Sequence, residues 1–98
     1  MARPQEAFTD ITKYMNDGGG APSAWYAGVA TDPRQRLFND HNVNEARDRW
    51  IFRTCNTDEE ARRVEDALIR MGCKGGAGGG DASTRAVYLY RIAPHTRE

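Results

Sequence analysis

The apolar residues of this chain change period from segment to segment, and each change marks an element. Ala7, Phe8, Ile11, Tyr14 and Met15 fall on one helical face behind Pro4, which suits a first helical turn. Asp17 and the glycines Gly18, Gly19 and Gly20 stop that helix. Over residues 24–30 the period drops to two, with Trp25, Ala27 and Val29 set against Tyr26, Gly28 and Ala30, as in a buried strand. Asp32 then offers an N-cap, Pro33 a first helical residue and Gln35 a capping-box partner, which predicts a short helix over about 33–40. A polar break over 39–44 precedes a second strand over 50–55, with Trp50 and Phe52 on one face and Ile51 and Arg53 on the other.

Thr57 and Glu60 form a capping box for the longest helix, roughly 58–71, which Gly72 ends. Residues 72–81 hold six glycines in ten positions, too many for a helix or a strand interior. The segment lacks the spacing of a phosphate-binding loop and leads into a strand, so it reads first as a flexible connection, with closure over a ligand as the minor reading. The last strand spans about 84–92, where Val87, Leu89 and Arg91 alternate with Tyr88, Tyr90 and Ile92. The order α-β-α-β-α-β, without internal repeats, predicts an α+β fold: a small three-stranded, mainly antiparallel sheet flanked by helices. Residues 1–98 make one domain, with an N-terminal helix and glycine turn over 1–20 and a core over 24–92.

Composition narrows what such a domain does. Lys+Arg and Asp+Glu both number 14, so the chain lacks the basic excess of a domain that grips nucleic acid mainly through phosphates. A hydrophobic fraction of 39% is enough for a small core and argues against disorder throughout. No apolar run reaches the roughly 18 residues of a membrane span, and the N-terminus lacks a signal-like apolar stretch, so the expected place is the cytoplasm, away from membranes. Cys55 and Cys73 stand far apart without a CxxC or clustered histidines, which favours two buried thiols over zinc, with a disulfide disfavoured.

On a wheel at about 100° per residue, Ala61, Val64, Leu68 and Met71 share an arc of the long helix, with Arg62, Arg63, Asp66 and Arg70 opposite. Glu65 falls between Ala61 and Ile69, the one charge of the helix body aimed at the core edge. It is either paired with an arginine or kept in a cleft to hold a divalent metal. Gly28, sharing a strand face with Tyr26, allows close approach of a backbone or phosphate. His41 taken alone is a helix-end residue that suits the dipole.

Taken together, Tyr26, Gly28, Arg36, His41 and Glu65 resemble the GIY-YIG nuclease superfamily over residues 25–71. Tyr26-Ala27-Gly28 matches the YIG element, Arg36 follows at the family's usual distance, and Glu65 lies on the helix after the intervening strand. The family's first strand is missing upstream. A strand of the right character, Ala86-Val87-Tyr88, lies near the C-terminus instead, so the chain looks circularly permuted with Tyr88 in place of the GIY tyrosine. His41 comes five residues after Arg36 rather than four, which turns it by about 100° on an ideal helix and gives Asp40 the expected position.

The resemblance implies a metal-dependent endonuclease. Tyr26, Arg36, His41 and Tyr88 would be catalytic, Glu65 would bind Mg²⁺ or Mn²⁺, and Gly28, Arg34 and Lys74 would bind substrate. The alternative is a non-catalytic module using the same cleft for a nucleotide, nucleic-acid or protein partner. A third reading is a homodimer or partner-binding protein that exposes Trp25 or Trp50.

Overall fold

A computed structural model of the chain describes residues 2–76 and 80–98. Its elements are α1 (Pro4–Gly18), β1 (Trp25–Ala30), α2 (Pro33–Gln35), β2 (Trp50–Thr54), α3 (Asp58–Met71) and β3 (Ala86–Arg91). A short 3₁₀ turn, Pro22–Ala24, leads into β1, and a π-helical turn, Arg36–Asp40, continues α2. The fold is α+β, as the periodicity predicts. The last strand is shorter than expected because Asp81 and Thr84 close a side-chain-bonded turn ahead of it, the Asp81 N–H donating to Thr84 Oγ1 at 3.1 Å.

The three strands pair antiparallel in the order β1-β3-β2, so the last strand in sequence is the central one. Lys74 adds one parallel bridge beside Tyr26, where its N–H donates to the Trp25 carbonyl and its carbonyl accepts from the Ala27 N–H. The start of the glycine-rich connection thus extends the sheet edge, while the expected flexibility of residues 77–79 lies outside the described residues.

Strand alternation sorts the side chains onto two faces. Trp25, Ala27, Val29, Ile51, Val87 and Leu89 join Ala7, Ile11 and Met15 of α1 and Ala61, Val64 and Leu68 of α3 in the larger core. The opposite face carries Tyr26, Ala30, Trp50, Phe52, Tyr88 and Tyr90, covered by Leu37, Phe38 and Val43 from the short helix and its following loop. α3 opens with both halves of its capping box, Thr57 and Glu60, and ends at Gly72, whose φ of 120° favours glycine. Cys55 and Cys73 are buried free thiols.

Trp25 is fully buried, which corrects the expectation that it is exposed for a partner: its ring packs edge-on against Tyr14. Trp50 is half-buried, with Phe38 against it at 5.1 Å between centroids. Among the described residues no helix is long and apolar enough to cross a membrane.

Candidate active site

Two rows of side chains cross the second sheet face. In one, Tyr26 of β1, Tyr90 of β3 and Trp50 of β2 stand opposite one another; in the next, Gly28, Tyr88 and Phe52 do. Gly28 is where the second row leaves room. A Cβ there would sit 2.5 Å from Tyr88 Cζ, with the hydroxyl closer still, so the Tyr88 ring lies over the glycine backbone. Any larger residue at 28 would push the phenol out of place.

The phenol meets His41. Its imidazole is 3% exposed and is held at both nitrogens: Nδ1 lies 2.6 Å from the Arg97 carbonyl oxygen, and Nε2 lies 2.6 Å from Tyr88 Oη. A carbonyl can only accept, so Nδ1 carries the proton and Nε2 accepts from the Tyr88 hydroxyl. Tyr90 Oη also donates to the Arg97 carbonyl at 3.1 Å and lies 3.2 Å from Nδ1. Tyr26 closes the group from the β1 side, its ring 4.9 Å from His41 and 5.3 Å from Tyr90.

The π-helical turn accounts for the position of His41. An ideal helix would leave a residue five beyond Arg36 rotated away, but here the His41 N–H donates to the Arg36 carbonyl at 2.9 Å, a five-residue step. The wider turn brings His41 into line with Arg36. Asp40, which would have held that place in an ideal helix, forms an exposed ion pair with Arg36 at 3.5 Å.

The electrostatics of the site centre on Tyr88. Burial pushes its phenol up to about 12, against the pull of the Arg36 guanidinium, which interacts with the phenol oxygen. That contact, working against partial burial and aided by Asp40, holds Arg36 still more firmly protonated. Burial lowers the His41 pKa; the Arg97 carbonyl opposes this and the Arg36 charge adds to it. Burial raises Tyr90 as well.

Glu65 is 6% exposed, and its charge acts on Tyr88. Burial raises its carboxyl pKa, Asp66 raises it further and Arg62 opposes. Arg62, which the helical wheel places on the far side of α3, thus exerts its charge on the inward carboxylate. A buried carboxylate is one kind of oxygen ligand that a hard cation takes. No group of three or more His, Cys, Asp or Glu gathers among the described residues, so a cation at Glu65 would rely largely on water ligands. That suits Mg²⁺ or Mn²⁺, which keep several waters.

Tyr26, Gly28, Arg36, His41 and Tyr88 are therefore brought together around the Tyr88–His41 pair, whereas Glu65 lies on α3, whose core residues pack against the other sheet face, and reaches Tyr88 through its charge. Arg34 stands apart from this group: it lies 5.5 to 5.9 Å from the ring centres of Phe38, Trp50 and Phe52 and pairs with Glu45 at 3.0 Å. Lys74 is at the rim, 3.9 Å from Glu98. Two participants escaped the sequence reading. Tyr90 was findable, since it alternates onto the face of Tyr88. The Arg97 carbonyl was not, because a main-chain group leaves no mark in side-chain chemistry. Compared with protein-family models, with curated proteins and with solved structures, the chain matches none.

Proposed function

We propose that the chain is a metal-dependent nuclease of GIY-YIG type, circularly permuted, which hydrolyses nucleic-acid phosphodiesters. The observation that carries this reading is the Tyr88 hydroxyl, bonded to a tautomer-fixed His41 at 2.6 Å and also engaged by Arg36. A phenol whose proton already points at a neutral imidazole can take a proton from water as it gives its own away. The central position of β3, which sets Tyr88 opposite Gly28 of the Tyr-Ala-Gly strand, supports the permuted reading.

In the proposed reaction Tyr88 Oη accepts a proton from the attacking water while its own proton passes to His41 Nε2. The resulting hydroxide oxygen bonds to phosphorus, the phosphorus–oxygen ester bond breaks, and the leaving oxygen is protonated from solvent. Arg36 compensates the charge that builds on the non-bridging oxygens. Glu65 would hold Mg²⁺ or Mn²⁺, which supplies further charge neutralisation at the phosphate. Gly28 keeps the Tyr88 phenol seated, and Tyr26 walls the imidazole from the β1 side. Lys74, at the rim, and Arg34, over its aromatic shelf, are placed to meet flanking phosphates only if the substrate runs across both.

Zero net charge favours a second reading, a binding module that uses this face of the sheet without chemistry, since little long-range attraction brings nucleic acid to the surface. Cleavage assays on single- and double-stranded DNA and RNA with Mg²⁺ or Mn²⁺ separate the two. Cleavage that disappears in folded Glu65→Ala and Arg36→Ala variants supports the nuclease. Absence of cleavage by the wild type, with ligand binding that depends on Arg36, supports the binding module.

A further inference from the structure

We propose that the main-chain carbonyl of Arg97 is the positioning group for His41, and that segment 94–98 is fastened across the site to present it. This rests on the nuclease reading for its catalytic meaning, but the geometry stands without it. Arg97 grips the histidine twice: its N–H donates to the His41 carbonyl at 2.8 Å, and its carbonyl accepts from His41 Nδ1 at 2.6 Å. The same carbonyl accepts from Tyr90 Oη. The main chain of one residue therefore fixes both the backbone and the ring of the residue that receives the Tyr88 proton.

The segment is fastened at several points. Thr96 closes a turn on Ala93, its N–H and hydroxyl both donating to the Ala93 carbonyl. Asn42, next to the histidine and at a φ of 57°, donates its side-chain amide to the His95 carbonyl at 3.0 Å. A non-glycine residue in that left-handed region costs conformational energy, which Asn tolerates better than most. The His95 imidazole bonds the Asp48 carboxylate, and Glu98 pairs with Lys74. Asp48 is itself held by the Asn44 N–H at 2.7 Å. The loop after the π-helical turn and the edge of β1 thus anchor opposite ends of the segment.

The chemical effect is on the tautomer. Free imidazole distributes its proton between two nitrogens, and only the form with Nδ1 protonated leaves Nε2 able to accept from Tyr88. Orienting partners of this kind set which nitrogen works. The groups around the ring are Tyr26, Tyr88, Tyr90, Arg36, Asp40 and Glu98. Among the described residues two oxygens lie within reach of Nδ1, the Arg97 carbonyl at 2.6 Å and Tyr90 Oη at 3.2 Å, and the hydroxyl itself donates to that carbonyl, which makes the carbonyl the main acceptor. Because the acting atom belongs to the main chain, the identity of residue 97 is immaterial and its amide carbonyl is what counts.

Nitrogen-15 NMR of the His41 ring, recorded against pH in three chains, tests this. The full chain is expected to show the form protonated at Nδ1. Removing Arg97 and Glu98 removes the acceptor, so His41 loses that tautomer preference and single-turnover cleavage falls about 10- to 100-fold. Removing Glu98 alone turns the Arg97 carbonyl into a carboxylate at the same atom, which favours the imidazolium, so the His41 titration midpoint rises. Loosened packing would also raise the midpoint by hydrating the ring, but it would erase the Nδ1 preference in the Glu98 deletion, where the terminal carboxylate is expected to keep it. An unchanged tautomer after loss of both residues overturns the proposal. Should that chain not fold, the Glu98 deletion decides, and an unmoved midpoint there overturns it. Absence of cleavage by the full chain, with the NMR behaviour as expected, refutes the nuclease reading and leaves the positioning role standing.

Discussion

Gly28→Ala puts one methyl group where the site has no room for it. The added Cβ would lie 2.5 Å from Tyr88 Cζ and 2.9 Å from Cε2, far inside van der Waals contact. Residues 28 and 88 are direct partners in the register, and β3 is paired on both sides, so the strands cannot separate and the ring must move. Overpacking of this kind costs about 1–3 kcal/mol. Displacing the phenol also breaks its 2.6 Å bond to an imidazole that is 3% exposed. Leaving that nitrogen unpaired costs about another 1–3 kcal/mol. Alanine returns roughly 0.5–1 kcal/mol through its better backbone entropy. The net is a loss of about 1–5 kcal/mol, a fall in Tm of roughly 5–25 °C for a domain of this size. Urea unfolding followed by the fluorescence of the buried Trp25 measures it. The same substitution in a Tyr88→Ala background should cost almost nothing, because the clash is gone. Equal costs in the two backgrounds would refute the reasoning, as would a Gly28→Ala protein as stable as the wild type.

Glu65→Gln should stabilise the protein at neutral pH. Burial raises the folded carboxyl pKa above its ordinary 4.5, so stability falls as pH rises through that value, and the glutamine variant escapes the loss; the gain should vanish below pH 4.5 in urea titrations. Mg²⁺ at ten times its Kd should stabilise the wild type by about 1.4 kcal/mol and leave Glu65→Gln unmoved, read by thermal melts. His41 works in the other direction: its folded pKa lies below the ordinary 6.5, so its contribution is complete above pH 6.5 and is lost as pH falls toward the folded value. An His41→Asn chain should show a flatter pH–stability curve in that range. Thr57→Ala removes the acceptor for the Glu60 N–H and should cost about 0.5–2 kcal/mol, measured by urea midpoint, with cleavage unchanged.

The elements were legible because each is written in a period that the chain holds for several residues. α3 runs over the expected residues because its capping box and closing glycine act locally. Strand faces followed from alternation, which pairs Tyr26 with Gly28 and Tyr88 with Tyr90, and the register then sets Tyr88 opposite Gly28. The position of His41 was not legible: counting at an ideal helical pitch favours Asp40, and only the π-helical turn, a tertiary outcome, brings the histidine beneath Tyr88. The buried state of Trp25 depends on Tyr14 and α1 folding over it, contacts across the chain that no local pattern encodes. The part played by segment 94–98 was invisible for a related reason, since it acts through peptide groups and short polar side chains in a stretch that reads as a charged tail.

In the proposed reaction Tyr88 and His41 carry the proton during phosphodiester cleavage. Single-turnover cleavage of end-labelled DNA and RNA with Mn²⁺, comparing wild type with Tyr88→Phe, tests it most directly, with near-UV circular dichroism confirming that both are folded. Removing one hydroxyl from a ring that stays in place should slow cleavage by about 10²- to 10⁴-fold. Cleavage by Tyr88→Phe at the wild-type rate would contradict the claim.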